Sequence, residues 1–213
     1  MEATRLVFKS LWILGWLGVF SACTPGEESA SAAQDLYATF EQLAPSDTLH
    51  VGLDSMASGK VLDFEGFFAA VDSSLLEDMI YEVDSTDGSL RALWKVALDE
   101  DYDLCLLELR QNWFQFRYGL VYATEARQFI HLEPLAYFYG GEGGQLFSES
   151  WLLNQRLLIS RESERAIRWT VEGETQESIR SSLSAQTWSS SQFRELAVPD
   201  SVFWMQKELA IGF

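Results

Sequence analysis

The chain has 213 residues, 47% of them apolar and only 4 of them proline, and it carries a formal net charge of −17 at pH 7. This composition excludes a disordered chain and leaves room for one domain of ordinary size with a real core. A surface this acidic repels phosphate backbones, so nucleic acid is excluded as a partner, and solubility, cation attraction or a basic partner fits better.

The first segment is an export signal. Arg5 and Lys9 make a positive start, Leu11–Phe20 is an unbroken apolar run, and the small residues Ser21 and Ala22 precede Cys23. A charged opening, a short apolar run and a small-residue exit define a secretory signal peptide over residues 1–22. The run is shorter than the roughly 20 apolar residues of a transmembrane helix. Phe20-Ser21-Ala22-Cys23 resembles the lipobox of bacterial lipoproteins, with Phe20 standing where that pattern favours leucine. The resemblance implies that Cys23 is acylated and becomes the first mature residue, tying the rest to a membrane through buried lipid chains. It also implies an outer-membrane location, because Thr24 stands where an aspartate retains such proteins at the inner membrane. Glu27 and Glu28 look like the surface-export signals of some Gram-negative lipoproteins. The sequence leaves open the periplasmic face and the cell surface.

Residues 23–32, rich in Glu, Ser and Ala, read as the lipidated cysteine and a flexible tether. A single domain over 33–213 follows. Leu36, Tyr37, Phe40 and Leu43 are spaced for a helix over 33–43, which Pro45 stops. Thr48–Leu53 is a candidate extended segment. Phe64, Phe67, Phe68, Val71, Leu75, Leu76, Met79 and Ile80 make the apolar stripe of a helical region over 63–81. Ser74-Leu75-Leu76-Glu77 reads as a capping box, so that region divides into two short helices near Asp72–Ser74.

From Leu90 the period becomes two. Leu90, Ala92, Trp94, Val96 and Leu98 are expected on one face. Strands are predicted over 103–111 and 113–123, the latter with Phe114, Phe116, Tyr118, Leu120 and Tyr122 on one side. Further strands follow over 128–133 and 135–139, separated by Pro134. Gly140–Gly144 is a glycine loop, and strands are expected over 145–153, 156–161, 165–171, 178–188 and 202–209. Asn154-Gln155 reads as a tight turn. Strands at about ten-residue spacing predict a mainly β fold, an antiparallel meander forming a sandwich or barrel-like curved sheet with a small helical N-terminal layer.

The chain offers little recognisable catalytic chemistry. His50 and His131 are its only histidines, and no zinc-binding pair, Gly-x-Ser-x-Gly elbow or phosphate loop occurs. Cys105, inside Leu104-Cys105-Leu106-Leu107, reads as a small core residue. Asp99, Asp101 and Asp103 are spaced by two, which is the opening of a calcium loop. Leu104 and Arg110 stand where an EF-hand needs glycine and glutamate, so the choice lies between a calcium site of another kind and a solvated acidic turn. Calcium is the one cofactor the sequence suggests. Six tryptophans follow Cys23, namely Trp94, Trp113, Trp151, Trp169, Trp188 and Trp204. Trp188 lies in a Ser/Gln/Thr-rich strand and is expected to be exposed, a candidate ligand-binding ring; Glu142, in the glycine loop, is a second candidate.

These readings favour a lipid-anchored envelope protein acting as a non-catalytic binding or accessory module, with an envelope protein or a glycan as partner. The alternatives are a secreted carboxylate-based glycan hydrolase, which needs a cleft holding two carboxylates, and a lipid carrier, which needs an apolar hollow.

Overall fold

The computed structural model describes residues 25–53, 58–77, 79, 87–112, 114–141, 144–169 and 175–197. Cys23 and its leader, Trp113, Glu142, Trp204 and the strand expected over 202–209 lie outside them.

Helix α1 (Pro25–Ala38) begins inside the segment expected to be a tether. Pro25 is suited to a first helical turn, and alanines follow. Ala33 and Leu36 are buried, so the element is held by packing as well as propensity. It ends five residues before Leu43, where Thr39 donates through both its amide and its hydroxyl to the Leu36 carbonyl.

After the short strands β1 (Glu41–Gln42), β2 (Thr48–Val51) and β3 (Lys60–Leu62) come two helices, α2 (Phe64–Ala70) and α3 (Ser73–Leu76). Asp63 caps α2 by accepting the Gly66 amide at 2.6 Å. Asp72, rather than Ser74, caps α3, accepting both the Ser74 amide and its hydroxyl. Those two bonds to the ionised form hold the Asp72 carboxyl below its ordinary range. The division of the region expected over 63–81 is therefore correct, with the cap two residues earlier.

The remaining strands are β4 (Gly88–Ala97), β5 (Tyr102–Gln111), β6 (Phe114–Ala123), β7 (Gln128–Gly141), β8 (Gly144–Leu153), β9 (Leu157–Trp169), β10 (Thr175–Ser189) and β11 (Gln192–Glu195). From β4 to β11 each pairs antiparallel with the next. β1 adds in parallel to β4, β3 adds antiparallel to β4, and β2 adds antiparallel to β8. The fold is mainly β, as expected: an open, curved, mixed sheet, not a closed barrel.

Two irregular strands curve it. In β4 the register shifts between Ala92 and Lys95. Leu90 and Ala92 therefore face the helices, whereas Val96 and Leu98 face the opposite way, contrary to the single face expected. In β7 the register shifts twice against β6, and Pro134 lies at one shift, so the two short strands expected there form one bulged strand. β7 then pairs with β8 only over Tyr137–Gly141, and Ser150–Leu153 of β8 pairs with β2 instead.

Both faces of β4–β7 are covered in consequence. On one, α1–α3 pack on Leu107, Phe116, Tyr118, Leu120 and Tyr122, and Cys105 is a fully buried member of that core. On the other, Leu104, Leu106, Val121 and Leu135 meet Val51, Leu152, Leu158, Trp188 and Phe193. The second half of the sheet thus curls back over the first. Beyond this roll β9 and β10 run on as a polar hairpin. Among the described residues no helix is long and apolar enough to cross a membrane.

Candidate functional site

The candidates named from sequence do not gather into one site. Asp99 lies in the turn between β4 and β5, where its Oδ1 accepts the amides of Asp101 and Tyr102 at 2.9 and 3.0 Å. Its Oδ2 accepts the Trp188 indole N–H at 2.8 Å. The Trp188 ring, expected to be exposed, is only 6% exposed and meets Tyr102 and Phe193 edge-on. The end of β10 lies under the roll, and the buried indole takes the bond to Asp99 that such a group requires. Asp103 is also buried and accepts from the Tyr37 hydroxyl on α1. Asp99 and Asp103 therefore serve different elements. Among the described residues no three histidine, cysteine or acidic side chains converge on one point. Calcium receives no geometric support from this loop.

His50 lies on the outer side of the roll. Its Nε2 is 2.8 Å from Glu149 Oε2, its ring stacks on Trp151 at 5.1 Å, and Arg161 pairs with the other Glu149 oxygen. This cluster joins β2, β8 and β9 and reads as a staple across the split in the sheet.

A cleft lies on the inner side of the same strands. The register aligns Tyr137, Ser148, Glu162 and Ser182 in one row across β7–β10. The next inward-facing row is Ser150, Ser160 and Ser184. One step further, Leu152 and Leu158 reach the second core. The interior of the roll thus changes from apolar to polar over two rows, and the polar part borders a cavity of about 310 Å³ whose far wall includes Glu133 and Pro134. That volume is at the lower edge of the roughly 300–1,000 Å³ of small-molecule sites.

The wall is organised by hydrogen bonds. Ser150, fully buried, donates to the Leu135 carbonyl and shares a bond with Ser160 at 2.8 Å. Gln186 on β10 spans the roll, its Nε2 donating to Glu133 Oε1 at 3.0 Å, while the other Glu133 oxygen lies 3.3 Å from His131 Nε2. The Tyr137 hydroxyl donates to Glu162. Burial first, then that bond and the nearby negative charge, push the Tyr137 phenol well above its ordinary range. Among the described residues the lining contains no lysine, arginine or histidine. Gln186 Oε1 is buried with no hydrogen-bond partner among the described residues.

These groups can hold a polar molecule. Among the described residues Glu133 and Glu162 are the only carboxylates of the lining, and none of its serines is bonded to a histidine. A serine–histidine pair is therefore not formed there among the described residues. Sequence reasoning missed the site, although a signal existed. Ser148, Ser150, Ser160, Glu162, Ser182 and Ser184 share parity with the core residues Leu152, Leu158 and Trp188 on the same strands. Polar residues that continue an apolar face mark a surface turned inward but not filled.

A larger groove of about 360 Å³ lies between α1, β3 and α2, bordered by Leu36, Leu62 and Phe67. Asp35, Thr39, Lys60 and Asp63 also border it, and the Thr39 hydroxyl and the Asp63 carboxylate are there bonded to the backbone of α1 and α2. No family model matches the chain, and neither a curated protein nor a solved structure matches it.

Proposed function

We propose that this is a lipid-anchored protein of the bacterial cell envelope, held at the outer membrane through Cys23 and working as a non-catalytic binding module. The anchor is supported by the run Leu11–Phe20 and by Ser21-Ala22-Cys23. The observation that carries the binding role is the polar cleft inside the roll, bordered by Ser148, Glu162, Gln186 and Glu133. An apolar hollow, which a lipid carrier needs, is the opposite of this lining. Metabolic labelling with a fatty acid tests the anchor: the full chain is expected to carry label and partition into membranes, and Cys23→Ala to lose both. An unlabelled wild-type chain would overturn it.

A second reading, a carboxylate-based glycan hydrolase, rests on Glu133 and Glu162 bordering the same cleft. The purified chain is expected to turn over no member of a glycan panel. Turnover that Glu162→Gln abolishes would establish the hydrolase instead.

A further inference from the structure

We infer that the cleft between β7 and β10 takes an uncharged sugar, a monosaccharide or disaccharide, held chiefly by hydroxyl groups that donate to the protein. The inference rests on the binding-module reading and gives its ligand a chemical class. Three observations carry it.

The first is the balance of donors and acceptors. Glu133 and Glu162 only accept, the Tyr137 proton is already committed to Glu162, and one of the two Gln186 N–H groups is committed to Glu133, while the serine hydroxyls of the lining both donate and accept. The groups of fixed polarity are therefore mainly acceptors, and a ligand rich in O–H groups, which donate and accept in turn, complements this wall. The second is Gln186 Oε1, a buried acceptor without a partner among the described residues. A buried acceptor left unmatched costs about 1–3 kcal/mol, and because this oxygen is closed off from the cavity, a ligand hydroxyl removes that penalty by turning the Gln186 side chain toward the cleft. The third is charge. Two carboxylates, and among the described residues no cationic side chain in the lining, repel phosphate and carboxylate groups, so an anionic sugar is rejected. Pro134 and the Tyr137 ring supply apolar surface against which the C–H face of a sugar can pack.

Titration calorimetry tests this on the full chain, held in a zwitterionic detergent so that no sugar headgroup competes. The probes are methyl glucoside, an N-acetylglucosamine disaccharide, glucuronate, a glucose phosphate and a simple alkylammonium salt. A neutral sugar is expected to bind saturably, and its anionic counterpart at least about tenfold more weakly, a difference of about 1.4 kcal/mol. Gln186→Leu is expected to weaken the neutral sugar about tenfold. Glu162→Gln keeps an acceptor for Tyr137 and should narrow the gap between neutral and anionic probes. Ser184→Trp, at an exposed position on the rim, should abolish binding while leaving thermal unfolding unchanged. Equal binding of the anionic sugars, tighter binding of the ammonium salt, or an unaltered affinity in Gln186→Leu would overturn the sugar assignment. Failure of every probe would also overturn it. If an envelope component is then still crosslinked to the chain and lost in Ser184→Trp, the binding-module reading stands without the sugar. If Ser184→Trp changes no such capture, that reading falls as well.

Discussion

Tyr37 joins the helical layer to the sheet through four contacts with three residues. Its hydroxyl donates to the buried Asp103, its ring stacks on Tyr122 at 4.0 Å, and Lys95 Nζ lies 3.5 Å from the ring centroid while donating to the Tyr37 carbonyl at 3.0 Å. Burial and the Asp103 charge hold its phenol well above the ordinary 10.0, and burial likewise raises Tyr122 and Tyr137. The neutral phenol is thus favoured more strongly in the folded chain than in the unfolded one. That contribution is complete below pH 10 and is lost as the pH rises beyond it, since the unfolded chain ionises first. Unfolding followed by tyrosinate absorbance and far-UV dichroism together should therefore begin above pH 10, with the last part of the tyrosinate signal appearing together with the loss of dichroism. Tyrosines that ionised fully while the dichroism stayed native would contradict this. Trp188 and Asp99 show why such contacts escape a reading of the sequence. Each residue was singled out, one as an exposed ring and one as a calcium ligand, yet each is the other's partner across 89 positions. Composition near Trp188 describes the rim of the cleft, whereas the ring belongs to the core beyond it.

At the scale of elements, periodicity carries well wherever a strand is regular. The strands expected over 103–111 and 113–123 are legible because β5 and β6 pair without a register shift. Legibility fails where one residue changes parity, as between Ala92 and Lys95, because a bulge reverses every later side chain without altering the local pattern. It fails again at α1, where polar composition imitates a tether and helix-forming tendency decides otherwise. The turn between β8 and β9 was readable in position but is imperfect in chemistry. Asn154 and Gln155 adopt φ of 47° and 58°, and the Arg156 amide closes the turn on the Leu153 carbonyl at 3.1 Å. Asparagine tolerates the left-handed region, whereas glutamine costs roughly 1–2 kcal/mol there. Glycine removes that cost and adds about 0.5–1 kcal/mol of backbone entropy loss on folding. The first effect is larger, so Gln155→Gly should raise stability by about 0.5–1 kcal/mol, a rise of roughly 1–4 °C in unfolding temperature for a chain of this size. A fall would mean that the Gln155 side chain contributes more than its backbone conformation costs.

The whole molecule couples a large excess of negative charge to a sheet that is open rather than closed. With 32 acidic against 15 basic residues, repulsion acts over the entire surface, while favourable pairs are local. Several of those pairs are exposed or half-exposed, such as Arg165 with Glu177 at 2.7 Å, and exposed pairs contribute about 0–1 kcal/mol each. The pair best protected from solvent is Arg117 with Glu108 at 3.0 Å, both buried, and salt reaches it least. Added salt therefore weakens the broad repulsion more than it weakens the pairs that matter. Its effect should be strongest as the screening length falls from about 30 Å at 0.01 M to about 8 Å at 0.15 M, the range in which separated surface charges stop sensing one another. The unfolding temperature of the full chain is expected to rise across that interval in sodium chloride and then level off, by scanning calorimetry. Unfolding that became easier with salt would show that exposed ion pairs outweigh the net charge. A rise with calcium much steeper than with sodium at equal ionic strength would point to a specific cation site, which screening alone does not create.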